Sequence, residues 1–332
     1  MSTDTTIRQE TLRTQNIQRY FANRAHPTHI SHRLFLEQKK EYAYINASNS
    51  IRNNIRSRRW WMNQALRFSG FRNIGRRNAL AIEVNHNEIF LSQLPGNLSG
   101  RQILHLTDLH IESIDGLQEK VISSIRNIDP DITVITGDIR SRSFGPIEPS
   151  IRMMSRIMNF IEGHCYAVLG NHDSIHMAPE LEKMGIRVLM NESVTLEFND
   201  NRIAVIGVDD PSDYKCDNLT RALEKTRNCV LPADITVLLA HSPDCINTAC
   251  QENLDVYLCG HTHGGQICLP GGMPLRKNTD YDWEYCSGPW KKANTTGYTS
   301  RGIGTAVVPA RFNCPPEITV HTLREVPDTS LT

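Results

Sequence analysis

Five short apolar runs occupy the middle of the chain, and each is followed by an aspartate, an asparagine or a histidine. The runs are rich in β-branched residues, and stretches of helical spacing separate them. Strands that alternate with helices expose their carboxyl ends at one edge of a sheet, where loops carry functional residues. The polar segments at these ends are Asp108-Leu109-His110, Gly137-Asp138, Gly170-Asn171-His172-Asp173, His241 and Gly260-His261-Thr262-His263. The pattern predicts an α/β fold with a metal site built on strand ends.

The segment after the fifth run has the densest pattern of candidate ligands. Two imidazoles, His261 and His263, flank one threonine just after the apolar stretch 256–258. Glycines on both sides allow a tight turn and a close approach to a ligand. A His-x-His pair alone is often a polar turn, so the other four segments are what favour a metal site.

The candidate ligands offer carboxylate or amide oxygen and imidazole nitrogen, but no thiolate. They are Asp108, His110, Asp138, Asn171, His241, His261 and His263. Such a set suits Mn, Fe, Zn, Co or Mg, and excludes a cysteine-type structural zinc. We expect two divalent ions, preferably Mn²⁺, bridged by Asp138, which stands alone on its turn. Two ions about 3.5–4 Å apart can clamp a phosphoryl group and lower the pKa of a bridging water, whose hydroxide attacks phosphorus.

Three neighbouring residues are candidates for other roles. His172 follows Asn171 and can direct its ring at the leaving group, so we predict that it is the general acid or an electrostatic stabiliser. Arg140 lies just past Asp138 and could bind a phosphate, although loop arginines usually face solvent. Asp173 is expected to support the neighbouring backbone or a ligand rather than bind metal.

The order of these segments across residues 100–325 resembles the calcineurin-like metallophosphoesterase superfamily. The resemblance implies a four-layer α-β-β-α sandwich of two mixed sheets with a dinuclear centre. It implies that one ion is held by Asp108, His110, Asp138 and His263. It implies that the other is held by Asp138, Asn171, His241 and His261.

Within that superfamily, the segments 263–266, 300–304 and 311–317 resemble the bacterial YkuE/YaeI-like branch. That branch includes membrane-associated members and is related to enzymes that cleave UDP-2,3-diacylglucosamine. The chain departs from the phosphoprotein phosphatases, which carry Gly-Asp-x-x-Asp-Arg-Gly where this sequence reads Gly137-Asp138-Ile139-Arg140-Ser141-Arg142-Ser143. The aspartate that would orient the catalytic histidine is absent. This argues against a protein phosphatase and leaves the partner of His172 open.

The expected activity is hydrolysis of a phosphodiester or pyrophosphate, on a membrane-lipid-related substrate such as UDP-2,3-diacylglucosamine. Two alternatives remain: a general phosphatase on small soluble substrates, and a catalytically silent scaffold that still binds metal. The intact ligand set and His172 favour an enzyme.

The first quarter of the chain differs from the rest in charge. Residues 1–80 hold fifteen Lys/Arg and four Asp/Glu, although the whole chain has no net charge. We expect a basic, partly mobile and partly helical extension over 1–78, a catalytic domain over 79–325 and a tail over 326–332. The arginine- and aromatic-rich stretch 51–72 is typical of an amphipathic helix on an anionic membrane. The alternative is a helix packed on the domain or on a second chain; nucleic acid is disfavoured because no binding module is recognisable.

Cysteine usage and hydropathy indicate a compartment. The nine cysteines show no C-x-x-C spacing, which favours reduced thiols in the cytoplasm. No run approaches the roughly 20 apolar residues of a membrane span. No secretory signal is recognisable at the N-terminus. We therefore expect a cytoplasmic protein that can associate peripherally with the inner membrane.

Local patterns also predict several elements. Residues 1–30 are expected to be mobile or loosely helical, and 79–84 to form an edge strand followed by a hairpin at 85–87. A strand is predicted at 305–308. Arg311 is expected to have a structural role at the second sheet.

Overall fold

A computed structural model describes residues 3–46, 60–62, 64, 66–68, 70–229 and 231–327, with the side chains of residues 3–10 excepted. Its helices are α1 (Thr3–Phe21), α2 (Pro27–Asn46), α3 (Phe71–Ala79), α4 (Leu117–Ile125), α5 (Glu148–Met158), α6 (Ala178–Glu182), α7 (Leu219–Arg227) and α8 (Ile246–Gln251). Its strands are β1 (Glu83–Leu91), β2 (Gln102–Leu106), β3 (Ile132–Thr136), β4 (His164–Val168), β5 (Ile186–Val188), β6 (Glu192–Phe198), β7 (Asn201–Gly207), β8 (Ile235–Leu239), β9 (Val256–Cys259), β10 (Gly288–Lys292), β11 (Thr295–Thr299) and β12 (Glu317–Glu325).

Within the described residues the strands form two six-stranded mixed sheets. The first has the order β1-β12-β2-β3-β4-β5, in which β12 and β2 are antiparallel and the other neighbours are parallel. The second has the order β10-β11-β9-β8-β7-β6, with antiparallel pairs at both edges and parallel strands between them. Helices join β2 to β3, β3 to β4, β4 to β5, β7 to β8 and β8 to β9, and they cover the outer faces as buried parallel sheets require.

The apolar core lies in three layers that follow from this arrangement. Side chains of both sheets meet between them, including Val134 and Val168 from the first and Val205 and Val237 from the second, all fully buried. A second cluster fills the space between the first sheet and α1, α2, α4, α5 and α6. A third lies under α7 and α8. Each buried Val, Leu or Ile stabilises the fold by about 1.5–3 kcal/mol. The four-layer sandwich expected from the resemblance is confirmed.

The N-terminal residues are more regular than expected. Residues 3–21 form helix α1 instead of a loosely helical stretch, and Phe21 at its end is fully buried. Arg24 follows it and bonds both Glu182 and Glu192, at 2.9 and 2.8 Å. Long-range packing and these ion pairs order a segment whose own sequence has no sustained apolar period.

The predicted hairpin at residues 85–87 is wrong. Strand β1 begins at Glu83, not at residue 79, and runs without a turn through this segment. The Asn85 amide donates to Glu317 Oε2 at 2.6 Å, and Asn87 Nδ2 lies 3.0 Å from His321 Nδ1. Asparagines favour turns through local hydrogen bonds, but here strand β12 supplies their partners.

The predicted strand at 305–308 is also wrong, because a side chain replaces the strand partner. Gln266 Oε1 accepts from Ala306 N at 2.8 Å, and Gln266 Nε2 donates to Val308 O and Ala310 O at 2.9 and 3.0 Å. This segment forms an irregular loop instead of joining a sheet.

All nine cysteines are free, and seven of them are buried. Among the described residues, the helices lack the combination of length and apolar character needed to cross a membrane.

Candidate metal centre

The turns after β2, β3, β4, β8 and β9 lie next to one another, because the two sheets face each other with these strand ends at the same edge. They bring together the seven side chains predicted as ligands. Most of these side chains are buried, and Asp108 and His241 are fully so. The five turns are spread over more than 150 residues of the sequence, yet their polar atoms lie close together in the fold.

One group of atoms surrounds His263. His263 Nε2 lies 3.2 Å from His110 Nε2 and 3.4 Å from Asp108 Oδ1. His110 Nε2 also lies 3.5 Å from Asp138 Oδ2. Asp108, His110 and His263 each present one ligand atom within 4.8 Å of the others.

A second group surrounds His241. Its Nε2 lies 3.0 Å from Asn171 Oδ1, 3.1 Å from His261 Nδ1 and 3.4 Å from Asp138 Oδ2. His261 Nδ1 is 3.1 Å from the same Asn171 oxygen. Asp138 Oδ2 therefore borders both groups, which is the position that a bridging carboxylate would need.

The atoms present fit divalent cations. Asp108 Oδ1 is buried and has no hydrogen-bond partner. Ring nitrogens of His110 and His263 face each other, as do those of His241 and His261. A buried acceptor without a donor is costly, and several lone pairs directed at one point are what a divalent ion requires. The absence of thiolates among them favours Mn, Fe, Zn, Co or Mg.

Burial and neighbouring charges keep most of the histidines neutral. Burial lowers the pKa of His110 to about 3, and burial together with His241 lowers the pKa of His261 to about 4. Burial, His110 and Arg311 hold the pKa of His263 well below its usual value. His241 differs: burial opposes its charging, but the Asp138 carboxylate raises its pKa well above the usual value. Three imidazoles are therefore ready to donate lone pairs.

The pKa values of Asp108 and Asp138 are also shifted in opposite directions. Burial raises the pKa of Asp108 to about 6, and Asp138 adds to this while His241 opposes it. Burial would also raise the pKa of Asp138, but His241 and His172 hold it well below the usual range. Asp138, the residue between the two groups, thus keeps its negative charge.

The backbone at the site is strained. Five of the seven candidate ligands have positive φ: Asp108, His110, Asp138, His261 and His263, between 37° for His110 and 69° for His261. Left-handed conformations of residues other than glycine cost of order 1–3 kcal/mol each and cluster at functional sites. The strain turns successive side chains of each strand end into the same space.

Two glycines permit the close approach. A Cβ on Gly170 would overlap Asp138 Oδ1, and a Cβ on Gly260 would overlap Asp108 Oδ2. Each glycine precedes a predicted ligand, so it lets one turn pack directly against the carboxylate of another.

Backbone carbonyls orient two of the rings from behind. His110 Nδ1 donates to Arg140 O at 3.0 Å, and His241 Nδ1 donates to Thr136 O at 2.8 Å. With the Nδ1 proton held there, Nε2 of each ring faces the site, which is how outer contacts orient metal-ligating histidines.

His172 lines the cleft beside the two groups of ligand atoms. Its ring has a hydrogen-bond partner that the sequence did not predict. Its Nδ1 donates to the Ser141 carbonyl at 3.0 Å, and Ser143 Oγ lies 3.2 Å away. Its backbone N–H donates to Asp138 Oδ1 at 2.8 Å. A backbone carbonyl thus takes the place of the missing orienting aspartate.

The structure places Arg140 elsewhere than the predicted phosphate contact. Its guanidinium is buried and donates to the carbonyls of His172, Ser143 and Gly145, at 2.6, 2.6 and 3.2 Å. Each of its three nitrogens donates to a backbone carbonyl, so it holds the loop that carries His172 in place. Asp173 Oδ1 accepts from the amides of Ile139 and Arg140, and so supports the turn after Asp138.

Arg311 has a structural role, as expected, but its contacts lie at a loop. It is fully buried, and its Nη2 donates to Arg301 O and Gly304 O at 2.8 and 2.7 Å. Gly304 N in turn donates to Asp108 O at 2.7 Å. Arg311 therefore supports the loop packed against Asp108, and not the second sheet.

The site opens into a cleft of about 1160 Å³. Besides the candidate ligands, its walls carry the basic residues Lys215, Arg276 and Lys277, the acidic residues Asp213, Asp217, Asp244 and Asp280, and the apolar residues Met62, Ile267, Leu275, Ala306, Val307 and Val308. The sequence showed no pattern that would assign these wall residues, most of which lie outside the regular helices and strands.

The profile of the calcineurin-like phosphoesterase family matches residues 101–265, the stretch that holds all seven converging side chains. The chain belongs to the calcineurin-like metallophosphoesterase superfamily. This metallophosphoesterase is 29% identical over 257 residues to the "Uncharacterized metallophosphoesterase YkuE" of Bacillus subtilis (strain 168), across 73% of this chain and 86% of that protein. It is 28% identical over 257 residues to YkoQ of the same organism, an uncharacterized metallophosphoesterase, across 72% of this chain and 90% of that protein.

Among solved structures, the calcineurin-like phosphoesterase YfkN from Bacillus subtilis aligns with a TM-score of 0.38 at 14% identity, over 62% of this chain and 81% of that chain. The family match and the sequence relatives identify the protein as a metal-dependent phosphoester hydrolase.

Proposed function

We propose that this metallophosphoesterase uses a dinuclear Mn²⁺ centre to hydrolyse a phosphodiester or pyrophosphate in a membrane-lipid-related substrate, such as UDP-2,3-diacylglucosamine. The observation that carries the chemistry is the position of Asp138 Oδ2, 3.5 Å from His110 Nε2 and 3.4 Å from His241 Nε2. Asp108, His110, Asp138 and His263 would hold one ion, and Asp138, Asn171, His241 and His261 the other. Bound there, the ions would polarise phosphoryl oxygens and lower the pKa of a water between them.

His172 is the proposed proton donor to the leaving oxygen. It lines the same cleft as His110 and Asp138, with ring centroids of His110 and His172 4.9 Å apart. Because Nδ1 is held by the Ser141 carbonyl, Nε2 is the ring nitrogen that remains for substrate. In its protonated form the ring can donate from Nε2 or stabilise negative charge on the leaving group.

An apolar substrate group is favoured by the composition of the cleft mouth. Met62, Leu275 and Val307 line the cleft with 41%, 62% and 51% of their surface exposed. Basic side chains, Arg276 and Lys277, lie in the same wall and suit an anionic group. A lipid-linked phosphodiester combines these two chemical characters.

Peripheral association with the cytoplasmic face of the inner membrane is part of the proposal. Residues 60–62, 64 and 66–68 are helical, and Trp60, Trp61 and Phe68 are 52%, 65% and 85% exposed. Residues 51–59 of the predicted amphipathic helix lie outside the described residues. Exposed aromatics beside arginines are typical of a helix at a bilayer interface.

The test is hydrolysis of bis-p-nitrophenyl phosphate, p-nitrophenyl phosphate and a UDP-linked acylated sugar, each with Mn²⁺ and with chelator. We expect Mn²⁺-dependent cleavage of the diester and the UDP-lipid, lost with chelator and in Asp138→Asn. Cleavage of the monoester alone would instead support the general phosphatase. Two bound ions without turnover of any of the three would contradict the proposed chemistry.

A further inference from the structure

Helix α2 lies against the metal centre, although it is outside the segment matched by the family profile, residues 101–265. One face of the helix carries Arg33, Glu37 and Lys40, whose spacing of four and three residues places them in one row. All three contact the loop of residues 170–175 beside the proposed site, and Arg33 and Lys40 also contact the loop of residues 209–214. The contacts span more than 130 residues of sequence.

Arg33 anchors the helix to both loops. It is fully buried, and its Nη1 donates to Asp209 Oδ1 at 2.8 Å while its Nη2 donates to Asp173 O at 3.1 Å. The guanidinium also lies 3.7 Å from the centre of the Tyr214 ring. Removing one partner of such a buried ion pair is strongly destabilising, so this contact fixes where α2 sits.

Glu37 extends the attachment along the first loop. Its Oε1 accepts from Ile175 N at 2.8 Å, and its Oε2 accepts from Ser174 Oγ at 2.7 Å. The same Oε1 accepts from Arg33 Nε at 2.9 Å. Helix α2 therefore holds the C-terminal end of the loop of residues 170–175.

Lys40 reaches the side of Asn171 that faces away from the histidines. Lys40 Nζ donates to Asp213 Oδ2 at 2.7 Å and to Asn171 O at 3.3 Å. Asp213 Oδ2 also accepts from Asn171 Nδ2 at 3.3 Å. A carboxylate can only accept, so Asp213 holds the amide nitrogen and leaves Asn171 Oδ1 toward His241 and His261.

We infer that Lys40, acting through Asp213, is a positioning residue that orients the Asn171 amide so that its oxygen, not its nitrogen, faces a metal ion held with His241 and His261. The inference rests on the proposed metal role of Asn171. A rotated amide would present two N–H donors to the ion and lose a ligand. Outer contacts of this kind influence metal affinity by about 10- to 100-fold.

The test is Mn²⁺ titration of the metal-free full chain by calorimetry, comparing wild type with Lys40→Met, Lys40→Arg and Lys39→Met. Lys39 is the matched control, since it is adjacent on α2 and exposed. We expect Lys40→Met to weaken one of two Mn²⁺ sites by about tenfold. Lys40→Arg should restore the affinity, because its guanidinium can still donate to Asp213, and Lys39→Met should match wild type.

The sign of the change in Mn²⁺ affinity distinguishes a positioning role of Lys40 from a purely electrostatic one. Lys40→Met removes a positive charge near the site, so a purely Coulombic role would strengthen cation binding. Asp213→Asn should weaken the same site, and the double variant should be no weaker than Asp213→Asn alone, since both residues act through one chain of contacts. Additive losses, or equal affinity in Lys40→Met and Lys39→Met, would overturn the inference.

The outcomes for the two proposals can be told apart. If wild type binds two Mn²⁺ and Lys40→Met loses affinity, but no phosphodiester is cleaved, the proposed function fails and the positioning role stands. If wild type cleaves the diester and Lys40→Met binds Mn²⁺ as wild type does, only the positioning role fails. If wild type binds fewer than two ions, both fail.

Discussion

At the scale of single residues, the site depends on side chains whose roles follow from the partners that surround them. Arg140 and His172 illustrate this. Arg140 looks from its position like a phosphate ligand, yet three backbone carbonyls use its guanidinium. His172 lacks the aspartate that would orient it in related phosphatases, yet the Ser141 carbonyl accepts its Nδ1 proton. Both outcomes depend on loop geometry, which residue type does not specify.

Replacing His172 by Ala should reduce turnover of bis-p-nitrophenyl phosphate by about 10²-fold or more, because the proton donor is lost. Bound metal should be unchanged, since His172 is not among the proposed ligands. Metal content and kcat should be measured on the same preparation. His176→Ala is the matched control, because His176 lies four residues along and outside the cleft wall. A rate in His172→Ala equal to that of the control would remove the proposed role.

At the scale of elements, strands β2 and β12 carry a pair of histidines across their antiparallel contact. His321 Nε2 lies 3.3 Å from His105 Nδ1, and His105 Nε2 lies 2.8 Å from Thr136 Oγ1. Both rings are fully buried. Burial lowers the pKa of His105 to about 3, and burial with the neighbouring His105 holds the pKa of His321 well below its usual value.

This pair should make stability depend on pH. In the unfolded chain both rings titrate near pH 6.5. In the fold the pKa of His105 is lowered to about 3, and the pKa of His321 lies well below its usual value. Between these values the unfolded state binds more protons, so the free energy of unfolding falls as pH decreases through this window. Each histidine contributes about 1.4 kcal/mol per pH unit.

Urea unfolding of the metal-free protein at several pH values between 4.5 and 7.5 measures that slope. In His321→Gln the slope below pH 6.5 should be smaller than in wild type by the contribution of about one proton. The candidate ligand histidines titrate in both proteins and cancel in the comparison. Identical slopes would show that His321 is not kept neutral by the fold.

At the scale of the whole molecule, one part of the N-terminal segment packs on the catalytic domain and another part is exposed. Helices α1 and α2 pack on the first sheet and the site loops, with Phe21 and Arg33 fully buried. The aromatic residues Trp60, Trp61 and Phe68 are exposed instead. Deleting residues 1–72 would therefore strip Asp209 of its Arg33 partner as well as removing the proposed membrane contact. Point substitutions separate the two effects.

A Trp60→Ser, Trp61→Ser, Phe68→Ser variant of the full chain should lose most of its binding to anionic vesicles, because aromatic burial at the interface is removed. Its hydrolysis of bis-p-nitrophenyl phosphate in solution should be unchanged. Vesicle co-sedimentation measures the first and a chromogenic assay the second. Phe160→Ser, an exposed aromatic elsewhere on the surface, serves as control. Vesicle binding equal to that of the control would rule out this membrane contact.

The sequence alone was sufficient to predict the fold class, the strand ends and the set of side chains that converge there. The strands follow from local information, because β-branched runs define them. The carboxyl ends of parallel strands lie at one edge of each sheet, and the packing of the two sheets brings the two edges together. Tertiary structure determined which ring nitrogens lie near Asp138 Oδ2. It also determined that Arg140 faces away from the cleft and that Lys40 contacts Asn171. These contacts join residues that are far apart in the chain, so they exist only once the two sheets and α2 have packed together.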